Sequence, residues 1–257
     1  MPMCLGMTNI IAPILSPKEF TEFMIKYKPN HTITVPTYVE HFVHDRKADS
    51  INWKCLKNLG IGGDYFPEQS EIYVNEFLKN HGSSSIAEKG YGMTENSSTA
   101  GVCLVGVNKT NSLGIPLPLN TYGIFERGTD KELKYGEEGE ICITGPTEML
   151  GYLDNEEEER KVIKIHSDGK KWIHSEDVGI IDEDGFLFFK GRYKRLIPHG
   201  GFKLYPSYIE GVIMKHPDID NCCVISIPDK VYGASPEAHV VICLLYTSPS
   251  PRDRTRS

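Results

Sequence analysis

The chain has 257 residues, a formal net charge of -7 at pH 7 and seven cysteines. The negative balance argues against a general nucleic-acid or anionic-membrane surface, and no apolar run approaches the roughly 20 residues of a membrane span. Pro2, Pro13 and the lack of a basic leader argue against a signal peptide, and the cysteines lack metal-ligand spacing, so we expect a cytoplasmic protein with reduced thiols.

The first hundred residues predict alternating helices and strands. Ser16-Pro17-Lys18-Glu19 is typical of a helix N-terminal capping box. The apolar residues that follow at helical spacing, and predict one buried stripe, are Phe20, Phe23, Met24 and Tyr27. Further on we expect a strand at 32–35, a helix from Tyr38, a strand at 56–61 and a helix at 67–80. This alternation predicts an α/β domain with a parallel sheet covered by helices.

After Thr99 the pattern changes to short apolar runs separated by turns rich in Gly, Pro and Asp. The predicted strands are 100–107, 121–127, 140–144, 172–174, 178–182 and 186–190. Asp184-Gly185 between two apolar runs is a strong hairpin signal. The spacing predicts a β-barrel-like subdomain attached to the α/β part.

From Lys194 onward the sequence predicts the start of a small α+β domain. A helix begins at Pro206, and strands are expected at 222–227 and 238–242. We therefore predict a large domain at 1–193 and a small mobile domain at 194–242. Residues 243–257 read as a non-native tail, because 243–253 matches the translation of a common sequencing-library adaptor; the alternative is a disordered, basic C-terminal extension.

Four short motifs occur in an order that indicates one enzyme superfamily. They are Gly90-Tyr91-Gly92-Met93-Thr94-Glu95; Gly139-Glu140-Ile141-Cys142-Ile143-Thr144-Gly145 followed by Gly151-Tyr152; Glu176-Asp177-Val178-Gly179; and Gly191-Arg192-Tyr193-Lys194. Each is weak alone, but together the chain resembles the adenylate-forming superfamily, which includes acyl-CoA synthetases, adenylation domains of peptide synthetases and luciferase-type enzymes.

The resemblance implies a nucleotide site. Tyr91 stacks on adenine, and the backbone of Gly62, Gly63 and Asp64 approaches the other face of the base, where a side chain would block it. Gly92 and Met93 belong to the same ATP-binding segment.

The resemblance also assigns the polar contacts. The Thr94 hydroxyl donates a hydrogen bond to the α-phosphate, and Glu95 is the catalytic carboxylate that binds Mg²⁺. Asp177 accepts hydrogen bonds from the ribose hydroxyls. Arg192 contacts ribose and phosphate.

A hinge and a thiol tunnel are implied beyond these motifs. Lys194 lies at the hinge about which the C-terminal domain rotates between the two half-reactions. Gly200, Gly201 and Phe202 line the CoA tunnel in one conformation, and Lys203 contacts phosphate in the other.

The chain departs from the family pattern at two positions. Glu176 stands before the ribose aspartate where the family has Gly, and Lys89 stands where an amide side chain is common. The family's Gly-rich phosphate loop and its late catalytic lysine are not found in these residues. We therefore expect a middle-to-late fragment that is inactive alone.

The function that the resemblance implies is that of an AMP-forming acyl-CoA synthetase. Such an enzyme uses ATP, Mg²⁺ and CoA, and activates a carboxylic acid, here expected to be a fatty acid. One alternative is an adenylation domain that loads an acyl-carrier protein. The other is a non-catalytic nucleotide-binding fragment, an interpretation that Glu176 in place of the usual Gly favours. The sequence does not encode which acid is bound.

Overall fold

The computed structural model describes residues 2–11, 16–216 and 218–242, so the predicted tail at 243–257 lies outside the described residues. The chain divides into two compact units. Unit 1 is built from residues 1–66, 70–90 and 104–106, and unit 2 from 67–69, 91–103 and 107–257. None of the helices in the described ranges is long and apolar enough to cross a membrane.

The helices within the described residues are α1 (Pro17–Tyr27), α2 (Pro36–His44), α3 (Arg46–Asp49), α4 (Glu68–Asn80), α5 (Glu156–Val162) and α6 (Pro206–Ile213). The strands up to residue 144 are β1 (His31–Thr34), β2 (Asn58–Ile61), β3 (Ala87–Tyr91), β4 (Gly101–Val102), β5 (Ile115–Pro116), β6 (Thr121–Phe125) and β7 (Gly139–Thr144). The later strands are β8 (Ile163–Ile165), β9 (Lys171–Ile181), β10 (Leu187–Arg192), β11 (Ile197–His199), β12 (Phe202–Leu204), β13 (Ile219–Asp229) and β14 (Gly233–Ile242). Short 3₁₀ turns cover Pro2–Leu5, Thr94–Asn96 and Tyr193–Arg195.

Helix α1 begins at the predicted capping box. The Ser16 backbone N–H donates to Glu19 Oε2 at 2.8 Å, and the Glu19 backbone N–H donates to Ser16 Oγ at 3.3 Å. The predicted buried stripe is confirmed at Phe20 and Met24, but it is wrong at Tyr27, which is 41% exposed. Thr21 takes part in the buried face instead, because that face ends one turn before the helix does.

Unit 1 contains the expected parallel sheet. β1 pairs with β2 and β2 pairs with β3, all parallel, with Leu59 opposite both Thr32 and Ala87. Helices α1 and α2 pack against each other. The core is rich in aromatic side chains, among which Phe42 and Trp53 meet edge-to-face at 4.9 Å between ring centroids. Strand β3 was not predicted, because its Gly and charged residues hide the apolar alternation.

A buried ion pair joins β3 to α4 in unit 1. Lys89 Nζ lies 2.6 Å from Glu71 Oε2, and the two side chains are 4% and 1% exposed. Lys89, one of the two departures from the family pattern, is therefore committed to a helix contact. An isolated charge at either position would be costly in such an apolar setting, so each residue requires the other.

Unit 2 contains a mostly antiparallel β-structure. Strands β6, β7, β9 and β10 form one sheet in the order β10-β9-β7-β6, with β8 on β9, and β4 pairs with β5. The predicted strands at 172–174 and 178–182 are one continuous strand, β9, in which the polar residues 175–177 form an irregularity opposite β7. The α/β fold class is confirmed, although the sheet does not close into a barrel within the described residues.

The last strands and α6 form a small lobe with its own core. β11 pairs with β12 and β14, and β13 pairs with β14, all antiparallel. Ile197, Val224 and Ala234 are buried there, with Ile209 and Ile213 of α6 packed against them. This cluster is distinct from the one that contains Phe20. The domain boundary at Lys194 stays a prediction, since the two compact units divide elsewhere.

We expect Lys89→Met to lower the free energy of unfolding by about 3–5 kcal/mol, because Glu71 would be left as a buried charge without its ammonium partner. Urea unfolding followed by circular dichroism measures this change. The double variant Glu71→Leu with Lys89→Met should recover most of the loss, since neither charge is then buried. Equal stability of Lys89→Met and the parent chain would contradict the assignment of this pair.

Candidate functional site

Three of the predicted nucleotide residues meet in unit 2. The Tyr91 hydroxyl donates to Asp177 Oδ2 at 2.9 Å, although the two residues are 86 positions apart. Arg192 Nε lies 3.1 Å from Asp177 Oδ1. The register of β10 on β9 places Arg192 directly opposite Asp177, and Tyr91 is the last residue of β3. Chance matches to short motifs would not converge in this way.

The environment of Asp177 is buried and polar. Its side chain is 6% exposed, whereas that of Arg192 is 66% exposed, so the cluster has a buried acid and a solvent-facing base. Burial raises the pKa of Asp177, against the lowering effects of the Tyr91 hydrogen bond and the Arg192 charge. Burial, followed by the Asp177 charge, raises the pKa of Tyr91 well above its usual range, so this phenol is a hydrogen-bond donor at neutral pH.

The segment after Tyr91 is a tight loop in which Gly92 is required. A Cβ on Gly92 would lie 1.8 Å from the Ser98 carbonyl oxygen, so no side chain fits. The Ala100 backbone N–H donates to the Tyr91 carbonyl at 2.8 Å and closes the loop. Met93 is half-buried and Thr94 is exposed, which leaves the Thr94 side chain at the surface.

Glu95 is held by a tyrosine from the next motif. The Tyr152 hydroxyl donates to Glu95 Oε1 at 2.6 Å, and the Met149 backbone N–H donates to the Glu95 carbonyl at 2.7 Å. The Glu95 hydrogen bond raises the pKa of Tyr152 to about 12. Glu95 is therefore a partly exposed carboxylate whose orientation is fixed by Tyr152.

The remaining adenine-binding candidates lie in unit 1. Gly62, Gly63 and Asp64 directly follow β2, and the Gly62 backbone N–H donates to the Thr34 carbonyl at 3.1 Å. Gly63 has φ +86°, a left-handed conformation that favours glycine. Asp64 is exposed, and its Oδ1 accepts the Tyr65 backbone N–H at 2.7 Å. Their role in adenine binding stays a prediction.

Lys194, the predicted hinge residue, forms an ion pair with Glu176. Its Nζ lies 2.6 Å from Glu176 Oε2, and the Lys194 and Glu176 side chains are 78% and 44% exposed. Glu176 itself has φ +57°, the left-handed conformation that Gly would adopt at lower cost. Glu176 thus has a strained backbone, while the adjacent Asp177 contacts Tyr91 and Arg192.

The predicted tunnel residues form the turn of the β11–β12 hairpin and its first strand residue. Gly200 and Gly201 have φ +56° and +87°, and Phe202 is 73% exposed. Lys203 lines a cleft of about 370 Å³ together with Arg127, Tyr193 and others, and neither Tyr91 nor Asp177 belongs to that lining. The structure therefore does not bring Lys203 into the Tyr91–Asp177–Arg192 cluster.

The residues that support this cluster could not be predicted from the sequence. Tyr152 lies in a recognised motif, but its contact with Glu95 had no signal in the spacing. The Asp177 backbone N–H donates to Ser175 Oγ at 3.0 Å, and Ser175 Oγ donates to the Ile141 carbonyl at 2.6 Å. Glu140, equally unassigned, accepts the Glu176 backbone N–H at 3.1 Å.

Comparison with known proteins gives matches to both parts of one kind of enzyme. Residues 1–153 match the AMP-binding enzyme family, and residues 208–250 match the AMP-binding enzyme C-terminal domain. A probable 4-coumarate–CoA ligase of Dictyostelium discoideum is 33% identical over 237 residues, which cover 92% of this chain and 42% of that protein. A long-chain-fatty-acid–CoA ligase of Bacillus subtilis is 29% identical, with 93% and 41% covered. The chain thus spans about two-fifths of the length of these relatives.

A solved structure shares the fold. The o-succinylbenzoate CoA synthetase of Bacillus subtilis, in complex with its acyl-adenylate intermediate, superimposes with a TM-score of 0.80 at 24% sequence identity. The match covers 98% of this chain and 49% of that one.

We expect Glu176→Gly to raise the free energy of unfolding by about 0.5–1 kcal/mol, because glycine adopts a left-handed conformation without the cost that a Cβ imposes. The exposed pair with Lys194 is lost as well, but such pairs contribute little. Chemical denaturation measures the difference. The matched control is Glu176→Gln, which keeps the Cβ and removes only the charge, and it should stay close to the parent. A loss of stability in Glu176→Gly, or an equal gain in both variants, would contradict backbone strain at this position.

Proposed function

The chain belongs to the AMP-binding enzyme family, and from that premise we propose that it serves ATP-dependent activation of a carboxylic acid for transfer to the thiol of CoA. The observation that carries the proposal is the meeting of Tyr91, Asp177 and Arg192 in unit 2. The fold and the family membership agree with it.

The proposed reaction has two steps. A carboxylate oxygen attacks the α-phosphorus of ATP, a P–O bond forms, and pyrophosphate leaves with the electron pair of the broken bond. The thiolate of CoA then attacks the acyl carbon of the adenylate, and AMP leaves to give the thioester. Both steps bring anions together, so the protein must neutralise and orient charge.

Asp177 retains the capacity to bind a ribose. An ionised carboxylate offers about four lone-pair sites on its two oxygens. Arg192 uses one site on Oδ1, and the Tyr91 hydroxyl uses one on Oδ2. One site on each oxygen is left, which matches the two hydroxyls of a ribose. The Tyr91 bond also fixes the phenol ring, which supports its proposed role as an adenine platform.

Glu95 fits the proposed Mg²⁺ site. Its carboxylate is a hard oxygen donor of the kind Mg²⁺ prefers, and Tyr152 holds one oxygen in place. When bound, the ion would neutralise phosphate charge. Thr94, exposed beside Glu95, is the proposed hydroxyl donor to the α-phosphate.

The two alternatives make different predictions about the same site. A carrier-protein-loading enzyme would transfer the acyl group to a phosphopantetheine arm in place of free CoA. A non-catalytic nucleotide-binding protein would be favoured if Glu176 displaced the ribose aspartate, but Glu176 leaves Asp177 paired with Tyr91 and Arg192. This pairing supports a ribose-binding site, which an enzyme and a non-catalytic nucleotide-binding protein would share.

We expect Asp177→Asn to weaken the binding of AMP to the chain by about tenfold or more, because a charged acceptor of the ribose hydroxyls is lost at unchanged side-chain size. Isothermal titration calorimetry with AMP measures the affinity. Asp184→Asn is the matched control, since Asp184 is an exposed acid in a hairpin turn and contacts Lys109 instead of the cluster.

Two outcomes would count against the proposed site. AMP affinity that is equal in the parent, Asp177→Asn and Asp184→Asn would remove Asp177 from it. Absence of AMP and ATP binding by the folded parent chain would remove the site altogether.

The class of acid can be measured on the same chain. Non-hydrolysable acyl-sulfamoyl adenosines that carry either a hydroxycinnamoyl or a long-chain fatty acyl arm share the nucleotide part and differ only in the acyl part. Tighter binding of the fatty arm would support a fatty acid as the substrate, and tighter binding of the aromatic arm would support an aryl acid.

A further inference from the structure

A row of buried polar side chains leads from the β8–β9 turn to the residue before Asp177. His166 Nε2 and His174 Nε2 lie 2.9 Å apart, and His174 Nδ1 lies 3.0 Å from Glu140 Oε2. The other oxygen, Glu140 Oε1, accepts the Glu176 backbone N–H at 3.1 Å. His166, His174 and Glu140 are only 6%, 3% and 3% exposed, so water does not substitute for these contacts.

The chemistry of the groups fixes where the protons are. Burial raises the pKa of Glu140, but the hydrogen bonds from His174 and from the N–H groups of Gly128 and Glu176 hold it below its usual value. An ionised carboxylate only accepts, so His174 Nδ1–H donates to Glu140, and in the neutral His174 ring the other nitrogen, Nε2, accepts. His166 Nε2–H must then be the donor to His174.

The ring of His166 is held rigidly for this contact. Its backbone N–H donates to the Lys170 carbonyl at 3.0 Å. The ring stacks on Trp172 at 5.5 Å and meets Phe125 edge-on at 4.6 Å. The Nδ1 atom is buried and has no hydrogen-bond partner in the part of the chain that the structure describes. Within the described residues, the hydrogen bond with His174 is therefore the one polar contact of the His166 side chain.

The row of buried polar side chains ends at the irregular segment of β9 that contains Asp177. The pairing of β7 with β9 shifts register between Glu140 and Cys142, and Glu176 takes its left-handed φ of +57° in the facing segment. Glu140 supplies the acceptor that the displaced Glu176 amide needs. We propose that His166 is a positioning residue for Asp177, acting through His174 and Glu140 on the backbone of Glu176.

The arrangement tolerates only one proton between the two imidazoles. A second proton would place two N–H groups face to face at the 2.9 Å separation of the Nε2 atoms. The groups that face His166 are His174 and Lys164, which disfavour its charged form, and Asp168 and Asp130, which favour it. Burial is the largest influence, and together they lower the pKa of His166.

Two substitutions of His166 separate the hydrogen bond from the ring. His166→Gln keeps an N–H donor for His174 and cannot take up a proton, whereas His166→Phe keeps an aromatic ring beside Trp172 and removes the donor. We expect His166→Phe to weaken AMP binding about fivefold at neutral pH, the effect of losing one hydrogen bond. His166→Gln should bind AMP like the parent, because its side-chain N–H can still donate to His174.

A second readout does not depend on nucleotide. Amide hydrogen exchange at Glu176, measured by NMR on the purified 257-residue chain, should be faster in His166→Phe than in the parent, and unchanged in His166→Gln at neutral pH. His44→Gln is the matched control, because His44 is an exposed histidine on α2 of unit 1. Denaturant unfolding shows whether each variant is folded.

The outcomes distinguish this proposal from the proposed function, on which its nucleotide readout rests. If the parent binds no AMP, the proposed function fails, and Glu176 exchange still tests the role of His166. Unchanged exchange and AMP affinity in a folded His166→Phe would overturn the proposal. If His166→Phe does not fold, nitrogen NMR of the histidine rings in the parent chain decides, and a His166 ring protonated at Nδ1 instead of Nε2 would overturn the proposal.

Discussion

The site in unit 2 depends on a buried carboxylate that is shared by two partners. Burying an ionised acid is costly unless hydrogen bonds replace the lost water. Asp177 obtains them from the Tyr91 hydroxyl and the Arg192 guanidinium, one on each oxygen. Because Asp177 lies within β9, Arg192 ends β10 and Tyr91 belongs to the same unit, one carboxylate joins three side chains of unit 2. The cost of burial thus selects the arrangement that leaves Asp177 oriented.

The strand that carries Asp177 is irregular for the same reason. A regular β9 opposite β7 would alternate residues between the faces without interruption. The register shift opposite Glu140 instead gives residues 175–177 their own backbone path, with Glu176 in a left-handed conformation. Ser175 and Glu140 then satisfy the amides that the ladder no longer pairs. Bulges of this kind are common where a side chain must be aimed at a site.

Much of the architecture could be predicted from local signals, and the failures have identifiable causes. The capping box at Ser16 and the alternation of helices with strands were sufficient for α1 and for the parallel sheet. Strand β3 was missed because Lys89 is buried by an ion pair with Glu71, a contact between two elements that no local pattern encodes. Strand β9 was predicted as two pieces, since its polar middle resembles a turn when the bulge is not known. The convergence of Tyr91, Asp177 and Arg192 followed only from the order of motifs, whereas the partners Tyr152 and His174 required the tertiary structure.

Glu176 has a strained backbone conformation that the surrounding contacts hold in place. A Cβ in the left-handed region costs about 1–2 kcal/mol, yet Glu176 adopts this conformation. Its amide is bound by Glu140, whose own orientation is set by His174, and its side chain reaches Lys194. Strained conformations persist when the surrounding contacts over-determine them. His166, His174 and Glu140 provide such contacts, because each side chain is buried and each hydrogen-bond donor in the row has one acceptor. Next to this strained position, the Asp177 carboxylate keeps its two partners, Tyr91 and Arg192.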